Sequence, residues 1–560
     1  MKIRWGVPAR RASIALVFLA LLVTSGYQTR GPGSLELVIL DGIGGRPTPA
    51  RIELLDREQN GQVADDASPA NGDCLDRAEA ARMTLAEAVG KLTKTLKNPY
   101  TRRTEFYSTG NSTFSPLPPG AYRLTIHKGP EYYVEEREVR ISPGERTRIV
   151  VELARWIDLP RQGWYSSDDH LHIARPVEGL NPILSKWMQA EDVHVANLLQ
   201  WGNSRVSHNT LQYAFGRAGA YQEGGYLIAA GQENPRTYFR GHSFILGVDA
   251  PIDFPSEYLL YSRFFGEARR QGALSGYAHR GTWLGAQYGL AVDLPAGLLN
   301  ILEILQQGDE EWWAWYEILN TGFRLIPTAG TDYPCLASLP GRERFYTRVD
   351  GPLTYEAWLA GVRRGRTFVT NGPILDFRVA GKEMGEEVLL EHAGAVTIEG
   401  RVRFDPKRDR VDRLELIENG QLTGSFPRLN NSGEISFRLP YQVRQSCWLA
   451  IRSRGRRLDE TSSFSNKSLA HSAPVYLTVK NTPALSQGPL AQAMARSWIA
   501  RLDDLEARLA PDQIPILAQP AGSDGVAEAV LRRDRDALIA DIRKARGVYT
   551  SIVAGPRKGR

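Results

Sequence analysis

Between residues 160 and 375 the chain switches repeatedly between two hydrophobic periods. Short apolar runs ("HVANLLQW", "YLIAAGQE", "SFILGV", "LSGYAH", "NILEILQ", "RLIPTAGTD") alternate with stretches of helical spacing ("NPILSKWMQAED", "EYLLYSRFFGEARRQG", "EEWWAWYEILNTG", "YEAWLAGVRRG"). Crossover helices cover both faces of the sheet they connect, so its strands read as continuous apolar runs. Strand–helix alternation on this scale points to a parallel α/β barrel or a doubly wound sheet.

The flanks read differently. "SLELVIL", "ARIELLD", "AYRLTIH" and "RTRIVVEL" alternate apolar and polar residues at period two, with turn signals at "PLPPGAY" and "SPGE". Residues 34–155 are therefore expected to form a β-sandwich, with a helix-like insertion near 73–98. The same alternation returns over 376–480 ("VTIEGRVRF", "RLELIENG", "CWLAIRSR", "PVYLTV"), and 481–560 read as amphipathic helices. The expected fold class is multidomain α/β plus β, with the α/β unit spanning 156–375. A chain of 560 residues exceeds one hydrophobic core in any case.

The net charge of +6 is carried by the ends. Lys2, Arg4, Arg10 and Arg11 precede "SIALVFLALLV", and Arg557, Lys558 and Arg560 close the chain. Those seven cations exceed the net excess, so the body has no basic face and nucleic acid is not an expected partner. A basic start, a short apolar run and "VTS" make residues 1–25 a secretory signal by layout, which implies a secreted or periplasmic protein. No later run approaches the ~18 apolar residues of a membrane span, so no stable membrane insertion is expected after signal removal. Cys74, Cys335 and Cys447 are an odd, widely spaced set and define no disulfide framework.

Six of the nine histidines fall between 170 and 279. In "SSDDHLHIARP", His170 and His172 are two apart, and on a strand that spacing directs both imidazoles to one face. Glu233, His242, His279 and Asp332 stand beside other strand ends. In parallel α/β folds the strand C-terminal ends form one rim where residues distant in sequence meet. Four imidazoles and two carboxylates there make a nitrogen–oxygen ligand set suited to Zn²⁺, Mn²⁺ or Fe, and a poor match for Ca²⁺ or Mg²⁺. His194 and His208 fall outside the pattern and read as structural or surface residues.

"GWYSSDDHLH", "GQEN", "GH", "YAHRG", "AGTDY" and "FVTNGP" together resemble the CehA/McbA-type metallohydrolases, relatives of carbaryl hydrolase in the polymerase-and-histidinol-phosphatase (PHP) superfamily. The resemblance runs from about Arg155 to Gly381. It implies a distorted PHP-type (β/α)7 barrel, flanked here by two β-sandwich-like domains and a C-terminal helical segment. It assigns metal-ligand roles to His170, His172, Glu233, His242, His279 and Asp332, and has Asp168 orienting the His170 imidazole. "VANLLQWGN" lacks the aspartate–histidine pair found after the second strand in the wider superfamily. Tyr333 and Pro334 follow Asp332 where a histidine often stands two residues on. One or two transition-metal ions, Zn above all, are therefore expected rather than three.

The chemistry implied is hydrolysis of an ester, carbamate or amide bond in a small-molecule or glycan-derived substrate. Asp332 is expected to bridge the ion and accept the proton of water. Arg280, Arg236 and Tyr333 stand beside ligands as groups for an oxyanion or an acidic substrate, and Trp201, Trp283 and "EEWWAWY" are aromatic candidates for a pocket wall. There is no GxSxG nucleophile motif. Two alternatives share these features: a phosphoesterase with the same site, and a non-catalytic metal- or glycan-binding envelope protein.

Overall fold

The computed structural model describes residues 31–66, 68–69, 104–202, 209–278, 286–306, 309–310, 312–334, 338–429, 432–458, 465–518 and 525–555. The expected signal (1–25), the helix-like insertion (73–98), and His208, His279, Arg280, Trp283 and Cys335 lie outside the described residues. The protein is mixed α/β, with many strands in several sheets and comparatively few helices.

The N-terminal β unit holds two sheets. Strand Gly33–Asp41 lies between Asn111–Leu117 and Arg146–Leu153, while Ala50–Leu55 pairs with Phe106–Ser108 and Gly120–His127. Period-two alternation puts Leu35, Leu37 and Ile39 inward, where they meet Ile52, Leu54, Leu124 and Ile126 of the other sheet.

Seven strands carry the candidate site: β1 (Trp164–Leu171), β2 (Val195–Trp201), β3 (Tyr226–Glu233), β4 (Gly241–Leu246), β5 (Leu274–Tyr277), β6 (Ile301–Gln306) and β7 (Ile326–Ala329). The pairs β1–β2, β2–β3, β5–β6 and β6–β7 are parallel. A parallel bridge between Leu171 and Tyr333 links the segment after β7 back to β1. One strand departs from the expected parallel order: β4 runs antiparallel to both β3 and β5. The connection from Glu233 to His242 is too short for a parallel crossover, which needs a dozen or so residues, so it turns as a hairpin.

Helices α1 (Asn181–Ala190), α2 (Tyr261–Arg270), α3 (Ala286–Asp293), α4 (Trp312–Asn320) and α5 (Tyr355–Arg363) intervene between or follow these strands. In α2, Tyr261, Phe264, Phe265 and Ala268 recur at i, i+3, i+4 and i+7 and form its buried face. Each phenylalanine so buried contributes about 1.5–3 kcal/mol. Thr354 caps α5, its hydroxyl accepting the Ala357 N–H at 3.1 Å. The long helices α6 (Pro489–Arg508) and α7 (Glu528–Ala554) lay Trp498, Leu502, Leu538 and Ile542 against this same core. No helix among the described residues is long and apolar enough to cross a membrane.

Within the span expected to be the α/β unit, β8 (Arg344–Arg348) pairs with β1, and β9 (Thr367–Thr370) pairs with β8. β9 then pairs with Lys467–Ser472. The sheet of the candidate site is thus continuous with the β region that follows. A separate sheet built on Ile374–Val379, Gly394–Arg403 and Glu434–Val443 faces that region across Phe377, Ile398, Leu416 and Ile451.

Buried charges dock the N-terminal unit at the end of α1. Arg51 pairs with Glu105 and, at 2.7 Å, with Glu191. Lys128 Nζ donates to the Gln189 carbonyl at 2.5 Å, a cation placed at a helix C-terminus. Arg155 reaches Asp192 at 3.0 Å.

Candidate metal centre

The strand that bears His170, with His172 just past its end, is irregular. Its pairing with β2 shifts register between Asp168 and Leu171, so β1 carries an extra residue there. Such bulges re-aim side chains. His170 and His172 stay together, their Nε2 atoms 3.1 Å apart.

Asp168 turns instead to the segment after β7. It accepts the backbone N–H of His170 (3.0 Å), the N–H and hydroxyl of Thr331 (3.2 and 2.6 Å) and the N–H of Gly341 (2.8 Å). This corrects the expectation that Asp168 orients the His170 imidazole: it holds the backbone of the ligand strand. Burial raises its pKa to about 6, against those four hydrogen bonds.

Two separated segments converge on the histidines, and a third joins them through Glu233. Asp332, three residues beyond β7 and in the left-handed region (φ +55°), brings Oδ1 to 3.1 Å from His172 Nε2 and 3.6 Å from His170 Nε2. Glu233, the last residue of β3, brings Oε2 to 3.2 Å from His172 Nε2 and Oε1 to 3.8 Å from His170 Nε2. His242 Nδ1 lies 2.8 Å from Glu233 Oε1. Because β4 runs backwards, His242 at its start falls at the same end of the sheet as Glu233 at the end of β3. All five residues are buried. Asp332 is the most open of them, with 11 % of its side chain exposed.

The hydrogen-bonding roles identify what belongs here. His172 Nδ1 stands 3.2 Å from the Leu199 carbonyl, which can only accept, so Nδ1 carries the proton of a neutral ring. Its Nε2 then holds a bare lone pair, facing His170 Nε2 and two carboxylate oxygens. Converging lone pairs repel unless a cation lies among them. Without metal, a proton takes that place: burial opposes the charge, but the hydrogen bonds to Asp332 and Glu233 prevail and push His172 up to about 9. Burial would also raise Glu233, yet Arg236 and His242 hold it well below the usual carboxylate range.

The same point also has the spacing of a metal site. Two ligands each about 2.0–2.1 Å from one tetrahedral ion stand about 3.3 Å apart. The observed separations of 3.1–3.6 Å among His170, His172 and Asp332 bracket that value, and their ligand atoms all lie within 4.8 Å of one another. The buried His170, His172 and Asp332 group could therefore hold a metal ion.

The remaining expected site residues are placed as follows. Arg236 Nη1 bonds Glu233 Oε2 at 2.8 Å, and its guanidinium lies over the Trp201 ring at 4.5 Å, so it serves a ligand rather than standing free for substrate. Trp201 also borders His172, with ring centroids 6.3 Å apart. The Tyr333 ring packs with Leu171, Ile173 and Leu180 in an apolar cluster, while its carbonyl accepts the His172 N–H at 2.7 Å. Trp312 and Trp315 belong to the core, against His471. His194 is buried between Ser166, at 2.9 Å, and the stacked Tyr226 ring, remote in role from the ligand cluster.

Sequence reasoning overlooked two carboxylates. Glu303, in the middle of β6, places Oε1 3.6 Å from His170 Nδ1. Asp169 is fully buried beside it, and burial together with Glu303 pushes its pKa well up. The signal was available: Glu303 is the one charge in its strand, flanked on both sides by apolar residues.

No protein-family model matches the chain, and no curated protein matches it significantly.

Proposed function

We propose that the protein is a metal-dependent hydrolase of the CehA/McbA type, acting on an ester, carbamate or amide bond of a small-molecule or glycan-derived substrate. In this reading β1–β7 close into a distorted (β/α)7 barrel, and the five convergent residues, joined by His279, form the metal centre on its rim. The observation that supports the reading is the meeting of His170, His172 and Asp332 from distant segments at one buried point, with Glu233 against both histidines and His242 against Glu233.

A transition-metal ion bound there supplies Lewis acidity, polarising a carbonyl oxygen and lowering the pKa of water toward about 7. The chain's own residues divide the remaining work. Leu199 fixes the His172 tautomer, so Nε2 faces the centre. Arg236 keeps Glu233 ionised as a ligand. Asp332, on the most open side, is the carboxylate placed to take a proton from attacking water, and Arg280 is kept as the candidate oxyanion partner. Residues 1–25 are read as an export signal on their layout alone.

The test is metal content followed by activity. Protein made in metal-replete medium should carry one or two equivalents of Zn, Mn or Fe, hydrolyse an aryl ester or carbamate, and lose that activity with a chelator. Faster turnover of an aryl phosphate would favour the phosphoesterase alternative. Absence of bound metal, or activity indifferent to chelation, would overturn the reading.

A further inference from the structure

On the far side of His170 from Glu233 and Asp332, two carboxylates occupy a position where a sheet interior is ordinarily apolar. Asp169 and Glu303 are both fully buried. Burying a carboxylate is expensive, so a strand needing only to pack would carry an apolar side chain there, as Ile301, Leu302, Ile304 and Leu305 do on either side.

Three departures from regular sheet geometry bring this pair to His170. β1 bulges between Asp168 and Leu171. The pairing of β6 with β7 shifts register between Glu303 and Leu305. The third is a close approach at Gly330, where an added Cβ would stand against Asp169 Oδ1 and His170 Cβ. Bulges cluster next to sites where a side chain must be re-aimed, and a glycine of this kind lets another chain segment approach closely.

We infer that Glu303 is a positioning residue of the metal centre, taking the Nδ1–H of His170 and so leaving its Nε2 to face Glu233 and Asp332. The inference rests on the metal-centre reading above. At 3.6 Å the contact has the length of an ion pair rather than of a hydrogen bond, and Glu303 is the carboxylate that stands against that nitrogen's side of the ring. Gln306 steadies the carboxylate, its amide 3.4 Å from both Glu303 oxygens. The two histidines are thus held by unlike partners: His172 by a neutral backbone carbonyl, His170 by a carboxylate. A carboxylate behind an imidazole raises its basicity and strengthens it as a ligand. His170 is accordingly the stronger anchor of the pair.

The experiment compares the full-length parent with Glu303→Ala and Glu303→Gln, reading Zn²⁺ affinity by chelator competition and the visible spectrum of the Co²⁺-substituted protein. Loss of such a partner weakens metal binding by about 10–100-fold. Glu303→Ala should reach the upper part of that range. Glu303→Gln, which keeps an acceptor but no charge, should fall between Ala and parent, with a shifted Co²⁺ spectrum. Parent-like Zn²⁺ affinity in folded Glu303→Ala would overturn the inference. Should Glu303→Ala fail to fold, Glu303→Gln decides alone, and parent-like affinity and spectrum there overturn it equally. A parent that binds neither ion removes the metal-centre reading itself, a result distinct from a parent that binds and variants that do not differ.

Discussion

Gly330 offers the sharpest physical test of how the centre is built. Replacing it with alanine adds one carbon, whose nearest neighbours would be Asp169 Oδ1 at 2.4 Å, His170 Cβ at 2.5 Å and His170 N at 2.8 Å. Two of these are backbone or Cβ atoms of β1 and cannot rotate away. Ordinary carbon contacts lie near 3.5–4.0 Å, so the segments must part by about 1 Å or keep the clash. Keeping it costs about 1–3 kcal/mol as overpacking. Parting loosens the Asp332 N–H to His170 carbonyl bond (2.8 Å) and the His172 N–H to Tyr333 carbonyl bond (2.7 Å). At about 0.5–1.5 kcal/mol each, that route costs much the same. Gly330→Ala should therefore destabilise the metal-free protein by about 2 kcal/mol and weaken metal binding as well. Gly266→Ala is the opposite control: this glycine lies inside α2 with nothing within 4 Å of an added Cβ, so alanine should stabilise by about 0.5–1 kcal/mol. Urea midpoints of the metal-free proteins, followed by tryptophan fluorescence, would show the two shifts in opposite directions. An unchanged midpoint and parent-like Zn²⁺ affinity in Gly330→Ala would refute the packing argument.

His170→Ala and His172→Ala should each lower metal occupancy and abolish hydrolysis; elemental analysis showing full occupancy would return the pair to a structural role. Asp332→Asn keeps the side-chain volume but removes the charge and basicity, so the hydrolysis rate should fall further than occupancy does, and equal losses in the two measurements would argue against a proton-accepting role. His194 supplies a pH prediction. Burial depresses it from 6.5 to about 4, so its contribution is complete above the unfolded value near 6.5 and disappears as pH falls toward 4. That shift corresponds to about 3 kcal/mol. His194→Asn should flatten this part of the acid limb in metal-free protein, and identical slopes in parent and variant would contradict it.

Periodicity made the strands and helices legible. β2, β3, β6, α1, α2, α4 and α5 each lie on an apolar run or helical stretch visible in the sequence, because a half-buried element repeats its pattern every few residues. The direction of β4 has no such signature. It follows from the absence of room for a crossover between Glu233 and His242. The pairing of β9 with Lys467–Ser472 joins segments roughly a hundred residues apart, and no local pattern encodes such a partner. In the site, residues at strand ends were found by looking at strand ends. Glu303 sits within a strand, where the informative sign is a charge among apolar neighbours, while Asp169 lies between Asp168 and His170 and carries no such sign. Asp168 was seen but given the wrong partner: which face it takes depends on a bulge that spacing alone does not reveal.

The contact between β1 and the segment after β7 is unusually slight for what it joins. Gly394–Arg403 and Glu434–Val443 are laced together by an unbroken ladder along their whole length, whereas among the described residues β1 meets the segment after β7 through the Leu171–Tyr333 bridge, two backbone hydrogen bonds and the bonds of Asp168. The residues that meet here, such as Asp168 and Thr331, are 163 apart in the chain, and they are joined by side-chain as well as backbone hydrogen bonds. His170 and His172 lie on one lip and Asp332 on the other. A cation gripped by both lips would act as a rivet, binding only the shut form and stabilising it by mass action. Losing the ion and opening the seam would then be one event, and amide exchange along residues 168–172 and 331–333 would report how much metal the protein holds.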